Sequence, residues 1–368
     1  MRGLYIHVPF CVKKCAYCDF YSLAGRLSSL EAYIEAVLKE AGKYRGMEFQ
    51  TLYLGGGTPS LLGAVGLNKL MAGLKQIFDL SQICEATLEA NPESLNPELL
   101  KAARSSGINR ISIGVQSLSD TELRKVSRVH TAARAVNAVE EAKAAGFNNI
   151  SADIILGLPG QDWPSLIVTL ETLIGLDIQH ISLYCLSIEP CTPLAVNLPV
   201  DLPSDDEQAE LYADACSLLA QRGFIHYEIS NFAVPGYECQ HNLIYWRGGE
   251  YVGLGPSAAS HAKGKRFKNK AELDTYLQNP TAQIDKVEEL SPAEKAPEEA
   301  ILRLRLLCEG IDVNDMAGKY GEENVVGLVS RLNRLVKEKL LLRNGANYRL
   351  PESFALVSNP ILAKVLGD

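Results

Sequence analysis

Two rhythms of apolar residues alternate through the first half of the chain. Short, nearly continuous apolar or β-branched runs occur at Leu4–Val8, Thr51–Leu54, Glu85–Ala90, Arg110–Val115, Ile150–Leu156 and His180–Leu186. Each reads as a buried strand. Between them lie longer segments with apolar residues three and four apart, at Leu30–Tyr44, Leu67–Phe78, Pro97–Ser105, Ala132–Ala145 and Pro164–Leu173. These predict amphipathic helices. Strand–helix alternation of this kind builds repeated βα units around a parallel sheet. A closed eight-unit barrel takes about 250 residues, or roughly 31 per unit. Six units ending near residue 190 keep that pace, so the expected fold is α/β, a partial six-unit (β/α) barrel over residues 1–190.

Past Leu186 the rhythm breaks. Pro190, Pro193, Pro199 and Pro203 mark a loop, and Asp205–Arg222 predicts a helix. The strand-like segments Ile225–Phe232 and Tyr251–His261 are expected to extend or cover the open barrel edge, within a unit spanning 191–289. Leu290–Glu299 carries two prolines and several charges and reads as a linker. It opens a C-terminal unit, 290–368, with predicted helices at Ala300–Glu309, Val313–Tyr320 and Val325–Glu338. A hairpin over Leu340–Leu350, turning at Asn344-Gly345, completes a small winged-helix-like domain.

Composition narrows the class. With 368 residues, 47% of them apolar, the chain can bury a substantial core. A net charge of −8 gives no general attraction for nucleic acid. The one basic run, Lys263 to Lys270, has five Lys or Arg in eight residues. It reads first as a solvated hairpin, with an anion site or a membrane or partner contact as alternatives. No stretch reaches the roughly 18 apolar residues of a membrane span. The N-terminal segment looks like a strand rather than a signal peptide. Nine cysteines, three of them within eight residues, suit a reducing cytoplasm and a metal site better than a disulfide framework.

Those three, Cys11-x3-Cys15-x2-Cys18, follow the first strand directly, at the barrel face where active sites are built. A [4Fe-4S] cluster normally takes four thiolates. Three on one loop leave an iron open to an external chelator, and the amine and carboxylate of S-adenosylmethionine (SAM) supply one. A zinc knuckle is the alternative, but it wants a fourth ligand nearby, and none follows at a suitable spacing. Tyr17 is expected to face the nucleoside and stack on adenine. Gly55-Gly56-Gly57-Thr58, after the second strand, lets the backbone approach the methionyl amine; a plain tight turn would use the same residues. Glu89, Gln116, Arg128 and Asp153 stand at or near later strand ends. A carboxylate there can accept from ribose hydroxyls, and an Arg can pair with the methionyl carboxylate.

These segments resemble the HemN/HemW group of the radical-SAM superfamily. The likeness runs from Tyr5-x-His7-x-Pro9-Phe10-Cys11 through Gly114-Val-Gln116, Arg128-Val-His130 and Asp153-Ile-Ile-Leu-Gly-Leu-Pro159 to Ser260. It implies a radical-SAM barrel with the cluster on Cys11, Cys15 and Cys18, and SAM contacts at Tyr5, Gly55, Gly56, Thr58, Glu89, Gln116, Arg128 and Asp153. Within the group, coproporphyrinogen III oxidases carry a further cysteine two positions after the third, where this chain has Phe20. They also carry an N-terminal extension for which a cluster starting at residue 11 leaves no room. His241-Asn-Leu-Ile-Tyr245-Trp246 looks like the HNxxYW signature of the HemW-type branch. The resemblance therefore implies a cytoplasmic heme chaperone that holds heme b and passes it to apo-hemoproteins of respiration. A homodimer and peripheral membrane contact at delivery are implied with it, and oxidase activity is not expected. Decarboxylation of coproporphyrinogen, or methyl transfer or ring opening on a tetrapyrrole, are the rival enzymatic readings. His241 is expected as an axial ligand, Tyr245 and Trp246 as flat surface for the macrocycle, and Lys263, Lys265, Arg266 and Lys268 as propionate partners. Cys185, Cys191 and Cys239 are soft alternatives to His241, and each also reads as a small buried hydrophobe.

Overall fold

The computed structural model describes residues 1–367. Strands β1 (Arg2–Val8), β2 (Thr51–Gly56), β3 (Glu85–Ala90), β4 (Arg110–Gln116), β5 (Ile150–Leu156) and β6 (His180–Cys185) pair in parallel, in that order. Helices α1 (Leu30–Ala41), α2 (Gly63–Ile77), α3 (Pro97–Ser106), α4 (Asp120–Lys125), α5 (Ala132–Ala144) and α6 (Trp163–Gly175) fill the connections. The outward residues Leu4, Ile6, Leu52, Leu54, Ile111 and Ile113 are buried under these helices and form the core. The inward face differs from a packed apolar barrel. Tyr53, Glu89, Ser112, Asp153, Ser151 and His180 hydrogen-bond across the interior.

Both later strand-like segments extend the sheet, each as two strands. β7 (Ile225–Glu228) and β8 (Asn231–Ala233) add antiparallel beyond β6. They are preceded by α7 (Asp205–Gln221), which a reciprocal Ser204–Glu207 capping box starts. β9 (Glu250–Leu254) follows the short helix α8 (Gln240–Trp246) and pairs parallel to β1, making a seventh parallel strand. β10 (Ala259–Ala262) and β11 (Lys265–Asn269) form the basic hairpin, with Arg266 paired to Glu298 and Lys265 to Glu289. After α9 (Leu273–Gln278), β12 (Ile284–Glu288) closes the twelve-stranded sheet on that edge.

The linker expected at Leu290–Glu299 is instead helix α10 (Pro292–Arg303). Ser291 and Glu294 cap it reciprocally, and Pro292 occupies the first helical position, where no hydrogen bond is lost. Pro297 gives up one bond early in the helix while its ring is buried. The helix expected over Ala300–Glu309 therefore stops at Arg303, and turns occupy the remainder. α11 (Val313–Tyr320) and α12 (Glu322–Lys337) follow, with a three-stranded sheet of β13 (Ile311–Asp312), β14 (Leu342–Asn344) and β15 (Asn347–Arg349). A last helix, α13 (Ser358–Leu366), was not signalled by periodicity. One continuous apolar core runs from the barrel into these C-terminal elements. Among the described residues no helix is long and apolar enough to cross a membrane.

Candidate functional site

A cavity of about 410 Å³ opens at the C-terminal ends of β1–β6. Its first wall is the cysteine loop. Backbone bonds pin that loop at its middle, from Ala16 N to Val126 O (3.1 Å), and where its two ends meet, from Leu23 N to Pro9 O (2.7 Å). Cys11, Cys15 and Cys18 are free thiols, half-buried, and all three line the cavity. Thr58 Oγ1 donates to Cys11 Sγ at 3.4 Å and Arg128 Nη1 to Cys15 Sγ at 3.4 Å.

The opposite wall is polar. Gly56 has φ +106°, and a Cβ there would lie 2.5 Å from the His7 ring, so the turn requires glycine. Its amide donates to Glu89 Oε2 (3.1 Å), and the Tyr53 hydroxyl donates to Glu89 Oε1 (2.7 Å). Burial pushes the Glu89 carboxyl up to about 7 despite those two donors, with Asp153 adding to the rise. Burial also raises Asp153, against hydrogen bonds from Ser182 and Ser112. Gln116 ends β4 at a register shift with φ +65°, which turns its side chain to the cavity. Arg128 donates from Nη2 to Asn91 Oδ1 (2.9 Å) and to Gly114 O (2.6 Å), while its buried Nε has no partner.

Of the residues expected here, Tyr17, Gly56, Thr58, Glu89, Gln116, Arg128 and Asp153 line this cavity with the cysteines. Tyr5 and Gly55 do not. Tyr5 lies inside the barrel with its hydroxyl on His7 Nδ1 (3.0 Å), and Gly55 packs under Tyr53 and Glu89. Sequence reasoning missed Asn91, which bridges Arg128 to Thr58 Oγ1 (3.1 Å), although it follows Glu89 by two positions at the strand end. It also missed Tyr184, whose ring stands at the rim of the same cavity.

The HNxxYW segment is a correction. His241 is 1% exposed and sits at the other end of the barrel, beside the first residues of β2 and β3. Its Nδ1 meets Thr51 Oγ1 at 2.7 Å and its Nε2 meets the Tyr245 hydroxyl at 2.7 Å. With both nitrogens engaged, the imidazole has no free lone pair for an outside iron. Burial holds its pKa down to about 3, so it is neutral. Tyr245 packs edge-on against His241, and the Arg305 guanidinium covers the Trp246 ring at 4.6 Å. None of the three lines the cavity. Cys239 is fully buried beside Glu85, so it too faces away from the cavity. Cys185 is at the rim and Cys191 is exposed on the loop beyond.

The Radical SAM superfamily model matches residues 5–173. The chain is 35% identical over 373 residues to "Heme chaperone HemW" of Lactococcus lactis subsp. lactis, covering 100% of this chain and 98% of that protein. The chain belongs to the HemW family. To "Heme chaperone HemW" of Bacillus subtilis it is 34% identical over 381 residues, covering all of both chains. Among solved structures, the coproporphyrinogen III oxidase HemN from Escherichia coli, a radical SAM enzyme, superposes with a TM-score of 0.87. That match covers 100% of this chain and 90% of HemN at 22% identity, which establishes the radical SAM α/β fold.

Membership of the superfamily implies a [4Fe-4S] cluster and SAM, and the residues present fit both. Three free, half-buried thiols from one loop line a single cavity, which is the donor set a [4Fe-4S] cluster uses. The unpartnered Arg128 Nε, which faces the same cavity, suits a carboxylate.

Proposed function

We propose that this chain carries heme at the barrel mouth, beside a [4Fe-4S] cluster on Cys11, Cys15 and Cys18 and a SAM bound along Tyr17, Gly56, Thr58, Glu89, Gln116, Arg128 and Asp153. The observation that carries the heme reading is the composition of the rim. Cluster and SAM account for the polar wall, but not for Phe20, Tyr184 and Leu186, which line the same cavity. Phe20 is 64% exposed and Tyr184 43% exposed, and Lys13 and Lys14 stand beside them without an ion-pair partner among the described residues. Two exposed aromatic faces flanked by free cations match a flat apolar ring with two carboxylates. The curated relatives are named heme chaperones, which supports the same reading.

Delivery to apo-hemoproteins of respiration, a homodimer, a cytoplasmic location and peripheral contact with the inner membrane at delivery belong to this proposal. So does the division into a barrel (1–190), an edge extension (191–289) and a winged-helix-like unit (290–368). When bound, the cluster and SAM together supply one-electron chemistry. The chain's own part is to hold the sulfonium nucleoside between the Glu89 and Arg128 walls and to exclude water with Tyr17. The test is a paired anaerobic assay on reconstituted protein. Heme is expected to bind near one equivalent with a Soret band, and coproporphyrinogen is expected to be recovered unchanged. Decarboxylation of coproporphyrinogen would replace the carrier reading with the oxidase.

A further inference from the structure

The barrel floor reaches the cavity through side chains stacked inside the barrel, and Tyr53 makes the direct hydrogen bond to Glu89. α8 docks on the floor by its first amides: Gln240 N and His241 N donate to the two oxygens of Glu85 at 2.9 and 3.0 Å. Glu85 starts β3, and Glu89 stands on the same face of that strand four residues on, about 13 Å toward the cavity. Tyr53 spans the gap. Its ring stacks on His241 at 5.0 Å between centroids and 26° between planes, and its hydroxyl donates to Glu89 Oε1 at 2.7 Å. Two glycines keep the space open. A Cβ on Gly3 would lie 2.8 Å from His241 Cε1, and one on Gly55 would lie 2.9 Å from Tyr53 Cε1 and 3.1 Å from the Glu89 carboxyl carbon.

We infer that Tyr53 and His241 are positioning residues for Glu89: the HNxxYW helix plugs the barrel from below and, through the Tyr53 ring, fixes the carboxylate offered to the SAM ribose. His241 is suited to this because both its nitrogens are tied, to Thr51 and to Tyr245, so the ring cannot rotate. The inference rests on reading Glu89 as a SAM contact. Glu89 is faced by Tyr53, by Tyr5 from β1, Arg110 from β4, Asp153 from β5, Tyr184 from β6 and Tyr245 from α8. Burial and Asp153 raise its pKa, whereas the Tyr53 hydroxyl, the Gly56 amide and Arg110 lower it. Removing the Tyr53 hydroxyl therefore favours the protonated carboxyl and moves its titration to higher pH.

The experiment measures SAM affinity calorimetrically across neutral pH, on full-length, cluster-reconstituted protein without oxygen. Wild-type binding is expected to tighten as pH rises through about 7, and Glu89→Gln to flatten that profile. Tyr53→Phe should weaken SAM by about tenfold near neutrality, move the midpoint upward by about half a unit or more, and add nothing in the Glu89→Gln background. His241→Ala should shift the midpoint in the same direction, with cluster absorption and heme binding retained. If Tyr53→Phe does not accumulate, Gly55→Ala presses on the same pair and should give the same shift. An unmoved midpoint in Tyr53→Phe or Gly55→Ala, with Glu89→Gln still flattening the profile, overturns the positioning role. A wild-type profile that is flat and indifferent to Glu89→Gln overturns the reading of Glu89 itself.

Discussion

The two ends of the barrel are built from the same kinds of residue and finished differently. At the mouth, Arg128 keeps a buried Nε with no partner and three thiols stand free around one cavity. At the floor, the histidine of the HNxxYW segment has both nitrogens filled, and the carboxylate of Glu85 receives three donors, from Cys239, Gln240 and His241. Spare valence is not confined to the mouth, since Arg110 Nε and Nη1 and Trp246 Nε1 are also buried without partners. What separates the ends, among the described residues, is that only the mouth joins spare valence to an open cavity. A histidine beside a tyrosine and a tryptophan looks the same in both settings until its partners are known.

The sharpest break of this contrast is at the cluster. Cys15→Ser should abolish cluster formation, since only three thiolates are offered, and iron and sulfide analysis after anaerobic reconstitution would read the loss. Next comes the floor. Glu85→Ala strands three donors, two of them buried, and leaves the buried Arg110 short of a counter-charge. It should cost about 3–5 kcal/mol of stability, measured as a lowered urea midpoint. Unchanged stability would mean that the floor is not the structural end. Arg128→Lys comes third. Losing the planar fork should weaken SAM by roughly tenfold or more in calorimetry, because an ammonium cannot serve Asn91, Gly114 O and a carboxylate together. The smallest effect is expected from Lys13→Glu with Lys14→Glu, a few-fold loss of heme affinity that fades with added salt. A salt-independent loss would count against propionate pairing there.

Periodicity revealed the six strands of the barrel and their helices because each strand buries one apolar face under a helix, and a period-two or continuous pattern survives in the residues. The cysteine loop was legible for a similar reason, since its chemistry depends on spacing along a single loop. The helix at Pro292–Arg303 was not, because two prolines outweighed a capping box at Ser291 and Glu294 that was equally visible. Asn91 escaped because its role is to bridge Thr58, just past β2, and Arg128, in the loop after α4. The placement of His241 was hidden more deeply. Its partners, Thr51 and Glu85, lie 190 and 156 residues away, and no local pattern encodes that contact.

The pairing of β1 has a consequence for synthesis. The strand that leads into the cysteine loop lies between β2 and β9, and its Arg2 side chain pairs with Glu250, 248 positions later. On the ribosome, the platform of that loop stays open on one flank until residue 254 has emerged, so closure is a long-range, late event. A chain ending before β9 is therefore expected to hold iron less firmly than the full chain after anaerobic reconstitution, read by iron and sulfide content.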